Sequence, residues 1–315
     1  MSKATSPLTT PVALLLFNRP EVTRRVFEAI AQARPTTLLL VGDGARRDRP
    51  GEAEKVAAAR AIVEQVNWDC DVLTEFSEEN LGCRRRVSSG ITWVFEQVPE
   101  AIILEDDCLP HPTFFRFCHE LLDRYRHDLR ISQIDGTSVQ GGFRLNDDSY
   151  YLSRHTYVWG WASWRDRWLG SYDVDMARWP RVRDEGRVGD MVGNPAHARH
   201  WTRVFDRVYN GEIDTWDYQW GFANMVEGRL SVVPNSNLVS NIGFGPDATH
   251  TIRDAPSANL PTEAMTFPLR HPVGMFQCRE LDDRFFETFE GIPLHRRVRG
   301  KVGRMLAGAV PGRKP

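Results

Sequence analysis

"IILEDDCLPHPTFF", residues 102–115, runs from an apolar strand into three consecutive carboxylates, Glu105, Asp106 and Asp107, then into two prolines and a fresh apolar pattern. Three adjacent anions repel one another, so the arrangement costs stability unless something cancels the charge. A bland use exists: Asp107, ahead of Cys108-Leu109-Pro110, can cap the next turn or helix. One carboxylate does that as well as three, which favours a site for a hard divalent cation. Mg2+ or Mn2+ takes oxygen ligands, often only one or two protein carboxylates together with substrate phosphates.

Working outward, the first half of the chain alternates two patterns. Short apolar runs at 12–17, 36–42, 71–76, 101–105 and 130–134 read as strands. Between them, apolar residues recur at helical spacing from Glu21 towards Pro35, and over 51–66, 84–98 and 113–126. Such alternation predicts a Rossmann-like, mainly parallel α/β sheet with helices on both faces. Ligands bind such sheets at the carboxyl ends of the strands. Asn18-Arg19, Asp43, Asn80, Glu105 to Asp107 and Asp135 all lie at or just beyond those ends. Singly, each reads first as a loop or cap residue; together they mark one edge.

Beyond about residue 150 the alternation stops. Residues 151–220 hold eight of the ten tryptophans, which predicts a Trp-rich lobe completing the same domain on the acceptor side. The expected organisation is a loose tail over 1–10, one domain over 11–290 made of halves 11–136 and 137–290, and a basic tail over 291–315. Residues 294–315 carry seven Lys or Arg and no acid. Such a run is a solvated tail or, with Val298, Val302, Met305 and Leu306, a segment resting on an anionic bilayer.

Composition excludes several classes. With 41% apolar residues the chain is not disordered, and a net charge of -2 gives no global field for nucleic acid. Five cysteines without a C-x-x-C pair suit a reduced, cytoplasmic protein without zinc-ligand spacing. No apolar run reaches about 18 residues, so no membrane span is expected. "GDGARRD" (42–48) fits neither the P-loop nor the dinucleotide fingerprint.

Four stretches carry a resemblance: "PVALLLFNRPEVTRRVFEAI", "NLGCRRRVSSGITWVFEQVPEAIILEDDCLPHPTFFRFC", "WGWASWRDRW" and "NIGFGPDATHT". Over roughly residues 10 to 255 the chain resembles a bacterial glycosyltransferase family that goes under the name hemolytic-protein (HlpA)-like. More distantly it resembles the N-acetylglucosaminyltransferase I family, whose acidic motif also reads Glu-Asp-Asp at a strand end. The resemblance implies a GT-A-like fold, that of nucleotide-diphospho-sugar transferases. It implies that Arg19 contacts the nucleotide, Asp43 faces the base, Asp106 the ribose and Glu105 the donor sugar. It further implies that Asp107 binds Mn2+ or Mg2+, that Asp217 in "DTWDYQW" (214–220) is a general base, with Asp214 as its alternate, and that His250 lies beyond a loop closing over the donor, near the metal.

These roles suit glycosyl transfer. Negative charge grows on the leaving diphosphate, where a cation stabilises it. Inversion needs a carboxylate to take the acceptor proton. Arginines at 84–86, Arg84 foremost, suit phosphate oxygens, and Asn80 stands beside them; a solvated first helical turn is the alternative. Tryptophan faces stack on sugars, and Trp159 and Trp161 are the expected sugar-facing pair, although most tryptophans are core residues. The expected partners are a nucleotide-sugar donor, a UDP-sugar by resemblance, and a glycan or glycolipid acceptor. Two rivals stay open: a nucleotidyltransferase acting on sugar phosphates, and a catalytically inactive carbohydrate-binding protein.

Overall fold

The computed structural model describes residues 7–244 and 259–290. The first half alternates as its pattern predicts: β1 (Val12–Leu16), α1 (Pro20–Ala33), β2 (Thr37–Gly42), α2 (Glu52–Val63), β3 (Asp71–Phe76), α3 (Gly82–Gln97) and β4 (Glu100–Glu105). Then come β5 (Cys108–Pro110), α4 (Pro112–Tyr125), β6 (Ile131–Asp135), β7 (Tyr150–Ser153) and β8 (Trp161–Trp164). Helices α5 (Arg165–Leu169), α6 (Trp179–Asp184), α7 (Val188–Val192), α8 (Pro195–Tyr209) and α9 (Asp217–Val226) follow. The described chain closes with β9 (Leu230–Pro234), β10 (Val239–Asn241), α10 (Arg279–Phe285) and one π-helical turn, Phe286–Glu290.

Eight strands form one sheet in the order β3-β2-β1-β4-β8-β6-β9-β7. The pairs β3–β2, β2–β1, β1–β4 and β6–β9 are parallel. The α/β class with a mostly parallel sheet is therefore correct, with one qualification. Antiparallel β8 is inserted between β4 and β6, and β7 runs antiparallel along β9. A separate small ribbon joins β5 to β10.

Strand side chains alternate between two cores, as the two-residue period demands. Val12, Leu14, Leu38, Leu40, Ile102 and Leu104 pack towards α1, α2 and α4. Ala13, Leu15, Leu39, Val41, Ala101 and Ile103 pack towards α3, α5 and α9. Four buried tryptophans, Trp161, Trp168, Trp216 and Trp220, lie in this second core. Helices α6 to α8 close a third core against Phe222 and Met225 of α9. The Trp-rich region is thus largely internal packing. No helix among the described residues is long and apolar enough to cross a membrane.

Candidate active site

The parallel strands β1, β2 and β4 end at one edge, and the polar residues at 18–19, 43 and 105–107 end there with them. Leu15 of β1 stands in register with Glu105 of β4. Arg19 caps α1: its carbonyl accepts from the Thr23 amide at 3.0 Å and the Thr23 hydroxyl at 2.8 Å. Pro20 follows, its φ preset for a first helical turn. The fixed backbone aims the guanidinium at the acidic strand end. Nη1 of Arg19 donates to Asp107 Oδ2 at 2.9 Å, and Nη2 pairs with Asp106 Oδ1. The Phe17 amide donates to the other Asp106 oxygen at 3.2 Å.

Among the described residues, one guanidinium, that of Arg19, faces the three carboxylates. Burial works against the Arg19 charge, but Asp106 and Asp107 outweigh it and hold the group above its ordinary value. Burial raises Asp106 despite the opposing pull of Arg19. Burial, then Asp107 and Asp106, push Glu105 well above the usual carboxylate range, and Asp217 adds to the push. If all ionise, the Glu105–Asp106–Asp107–Arg19 group has two negative charges in excess of its one cation. Among the described residues, no three His, Cys, Asp or Glu side chains form a ready-made metal cage. The donor set fits a hard cation that draws most of its ligands from phosphate oxygens and water.

The small ribbon brings a second wall to the site. Asn241 pairs with Cys108, and the Ile242 amide donates to the Asp107 carbonyl at 2.8 Å. The turn that follows seats Gly243 on the ion pair, so close that a β-carbon there would lie 2.1 Å from Asp107 Oδ2. In the sequence, only the first glycine of "NIGFG" (241–245) hints at this contact.

Asp217 is the first residue of α9. Trp216 and Trp220, one helical turn apart, both pack on Trp161 and Trp168, as the spacing predicts. Asp217 accepts from the Thr215 hydroxyl and from the Tyr218 amide, the latter at 2.9 Å. Its charge reaches both Glu105 and Cys83. Burial raises the Cys83 thiol first, and Glu105, Asp217, Asp214 and Asp43 add to the effect. Cys83, which sequence reasoning passed over, therefore stands among the carboxylates at the start of α3. Asp214 Oδ2 comes within 3.5 Å of the β-carbon position at Gly82.

Several expected ligand contacts are occupied by the protein itself. Asp43 accepts from the amides of Gly44, Leu81 and Gly82 and from Asn80 Nδ2, at 2.9 to 3.1 Å. Asn80 Nδ2 also donates to the Gly44 carbonyl at 2.9 Å. Both residues lock the loops after β2 and β3; facing a base would cost Asp43 one of these bonds. Arg84 is turned away, donating to the Val174 carbonyl at 2.5 Å and to Asp175 at 3.3 Å. Arg86 is buried against Glu75, which leaves Arg85 as the exposed member of the trio. Trp161, at 1% exposure, is core and not sugar-facing, because β8 turns it into the tryptophan cluster. Asp135 is fully buried, with Gln133 donating to it. His250 lies outside the described residues.

No model of a known protein family matches the chain, and neither does any curated protein. Three solved structures are similar at low identity. A UDP-glucose pyrophosphorylase complexed with UDP-glucose is 11% identical over 47% of this chain, with a TM-score of 0.26. The chain spans 64% of that protein, less than two thirds of its length. Mouse xyloside xylosyltransferase 1, in its apo form, is 11% identical over 69% of this chain and 82% of its own, with a TM-score of 0.33. Mannose-1-phosphate geranyltransferase from Thermus thermophilus is 12% identical over 72% and 74%, with a TM-score of 0.32. Likenesses this distant leave the functional reading to the residues of the site.

Proposed function

We propose that the chain is a metal-dependent glycosyltransferase that moves a sugar from a nucleotide-diphosphate donor, a UDP-sugar, to a hydroxyl of a glycan or glycolipid, with inversion. The observation that carries this reading is the convergence at one sheet edge. A strand-end carboxylate triplet is clamped by Arg19, and a further carboxylate, Asp217, lies within electrostatic reach of Glu105.

In this reading residues 11–136 supply the nucleotide half and 137–290 the acceptor half. Asp107 would hold Mn2+ or Mg2+, which supplies charge neutralisation on the diphosphate. Arg19 fixes the Asp107 carboxylate and adds a second cation beside the leaving group. Asp106, which accepts from the Phe17 amide, would face the ribose, and Glu105 the donor sugar. Asp217 takes the proton of the attacking acceptor hydroxyl. His250 is assigned to the donor side of the metal by resemblance alone.

A panel of nucleotide sugars incubated with the protein, with and without Mn2+, tests the proposal. Mn2+-dependent release of a nucleoside diphosphate supports it. Pyrophosphate release from UTP and a sugar 1-phosphate would replace it with a nucleotidyltransferase. Neither reaction, together with no nucleotide-sugar binding, would sink it.

A further inference from the structure

Eight tryptophans fall between residues 151 and 220, and seven of them are buried. Trp159 alone is half-buried. A single turn explains the difference between Trp159 and Trp161. Gly160, between them, sits at φ 67°. That conformation breaks strand alternation and is strained for residues with a β-carbon. Trp161 therefore enters the tryptophan core while Trp159 stays at the rim. The Thr137 hydroxyl holds the Trp159 carbonyl at 2.8 Å.

The Trp159 ring meets the half-buried ring of Phe244 edge to face, with centroids 5.8 Å apart and planes at 84°. Phe244 hangs from backbone that touches the acidic strand end, and Trp159 from backbone packed on Val239 of β10 and on the Leu104 side chain of β4. The β-carbon position at Gly160 is 3.2 Å from Leu104, the residue before Glu105. Gly243, the residue before Phe244, backs onto Asp107. The two aromatics thus form a corner beside the last residues of β4.

We propose that this Trp159–Phe244 corner is the wall on which the hexose ring of the nucleotide-sugar donor lies. The inference rests on the glycosyltransferase reading and goes further by naming what grips the sugar. If Asp107 marks the diphosphate, the group next to it is the substituent of the terminal phosphate. In a nucleotide sugar that substituent is a pyranose. Its C–H face is apolar and suits an aromatic wall, while its hydroxyls stay free for polar partners such as Glu105. A bare nucleoside diphosphate has nothing to place there.

The test is calorimetric titration of the full chain, in Mn2+, with UDP, UDP-glucose, UDP-galactose and UDP-N-acetylglucosamine. Phe244→Ala is expected to weaken the UDP-hexose that the wild type binds by about tenfold or more, a loss of about 1.4 kcal/mol. Its UDP affinity should change by less than about twofold. Trp159→Ala should act likewise, and Trp159→Phe should restore most of the loss. Saturation-transfer NMR should carry magnetisation from protein aromatic protons to the hexose protons, and Phe244→Ala should reduce it. Unchanged UDP-hexose affinity in Phe244→Ala and Trp159→Ala, or equal losses for UDP and UDP-hexose, overturns the sugar wall and leaves the glycosyltransferase reading standing. Failure of the wild type to bind UDP or any of these UDP-sugars overturns both.

Discussion

Gly243 backs directly onto Asp107. A β-carbon at position 243 would stand 2.1 Å from Asp107 Oδ2 and 2.6 Å from Arg19 Nη1, well inside contact distance. The backbone has no easy retreat, because the Ile242 amide is bonded to the Asp107 carbonyl and Asn241 Oδ1 accepts from the Gly243 amide at 2.9 Å. Gly243→Ala must therefore push the carboxylate and the guanidinium apart. Overpacking of this kind costs about 1–3 kcal/mol. The expected outcome is a melting temperature lower by a few degrees and a much larger effect on function. Mn2+-dependent UDP binding should fall by more than about tenfold in calorimetry.

Glu105 gives the site a pH signature. Burial and its two acidic neighbours raise its folded-state pKa well above the ordinary 4.5. A carboxylate raised on folding binds more protons in the native than in the unfolded state. Its contribution is therefore most favourable below the unfolded pKa and is lost as pH climbs through the folded value. Glu105→Gln should raise the metal-free melting temperature at pH 8 and change it little near pH 4. Mn2+ should stabilise the wild type more at pH 8 than at pH 5, since the ionised cluster attracts it. Scanning calorimetry across pH checks both, and an equal effect of Glu105→Gln at every pH would contradict the assignment.

Arg19→Met removes the cation that pairs with Asp106 and Asp107 and leaves buried charge unpaired. Losing one partner of a buried pair costs about 3–5 kcal/mol. The loss should shrink towards acid pH, because burial has already raised Asp106 and protonation relieves it. Denaturant unfolding at pH 7.5 and pH 5 measures this. An equal cost at both values would mean that the arginine acts by packing alone.

The alternation from β1 to α4 was legible because each element carries its own period: two for strands facing two cores, 3.6 for helices with one apolar face. The carboxylate triplet was legible because nothing in local structure needs three adjacent acids. What stayed hidden depends on partners distant in sequence. "WASW" does not announce a strand, and Trp161 and Trp164 become one only between β4 and β6. The three residues of β5 exist as a strand because Val239 to Asn241 arrive from across the chain. Asp43 and Asn80 looked like ligand contacts at strand ends, yet they are 37 positions apart and bond to each other. Arg84 and Arg86 found a carbonyl and a carboxylate that no helical pattern could reveal.

Asp217 tests the reaction separately from donor binding. A base that acts only in the transition state lowers turnover without weakening the ground-state complex. Asp217→Asn should reduce transfer by about a hundredfold or more. UDP and Mn2+ should bind it as they bind the wild type. Asp217 also accepts from the Tyr218 amide at the start of α9, so a purely structural role predicts the reverse. In that case the melting temperature would drop while turnover held, and Asp214→Asn would serve as the matched control.

In the proposed mechanism Asp107, at the end of β4, couples a divalent cation to a nucleotide diphosphate. Calorimetric titration of UDP into wild type and Asp107→Asn, each with and without Mn2+, addresses it directly. The substitution removes one charge and almost no volume, so the fold should survive. Mn2+ is expected to tighten UDP binding by the wild type at least about tenfold and to do nothing for Asp107→Asn. Equal Mn2+ enhancement in both proteins would contradict it.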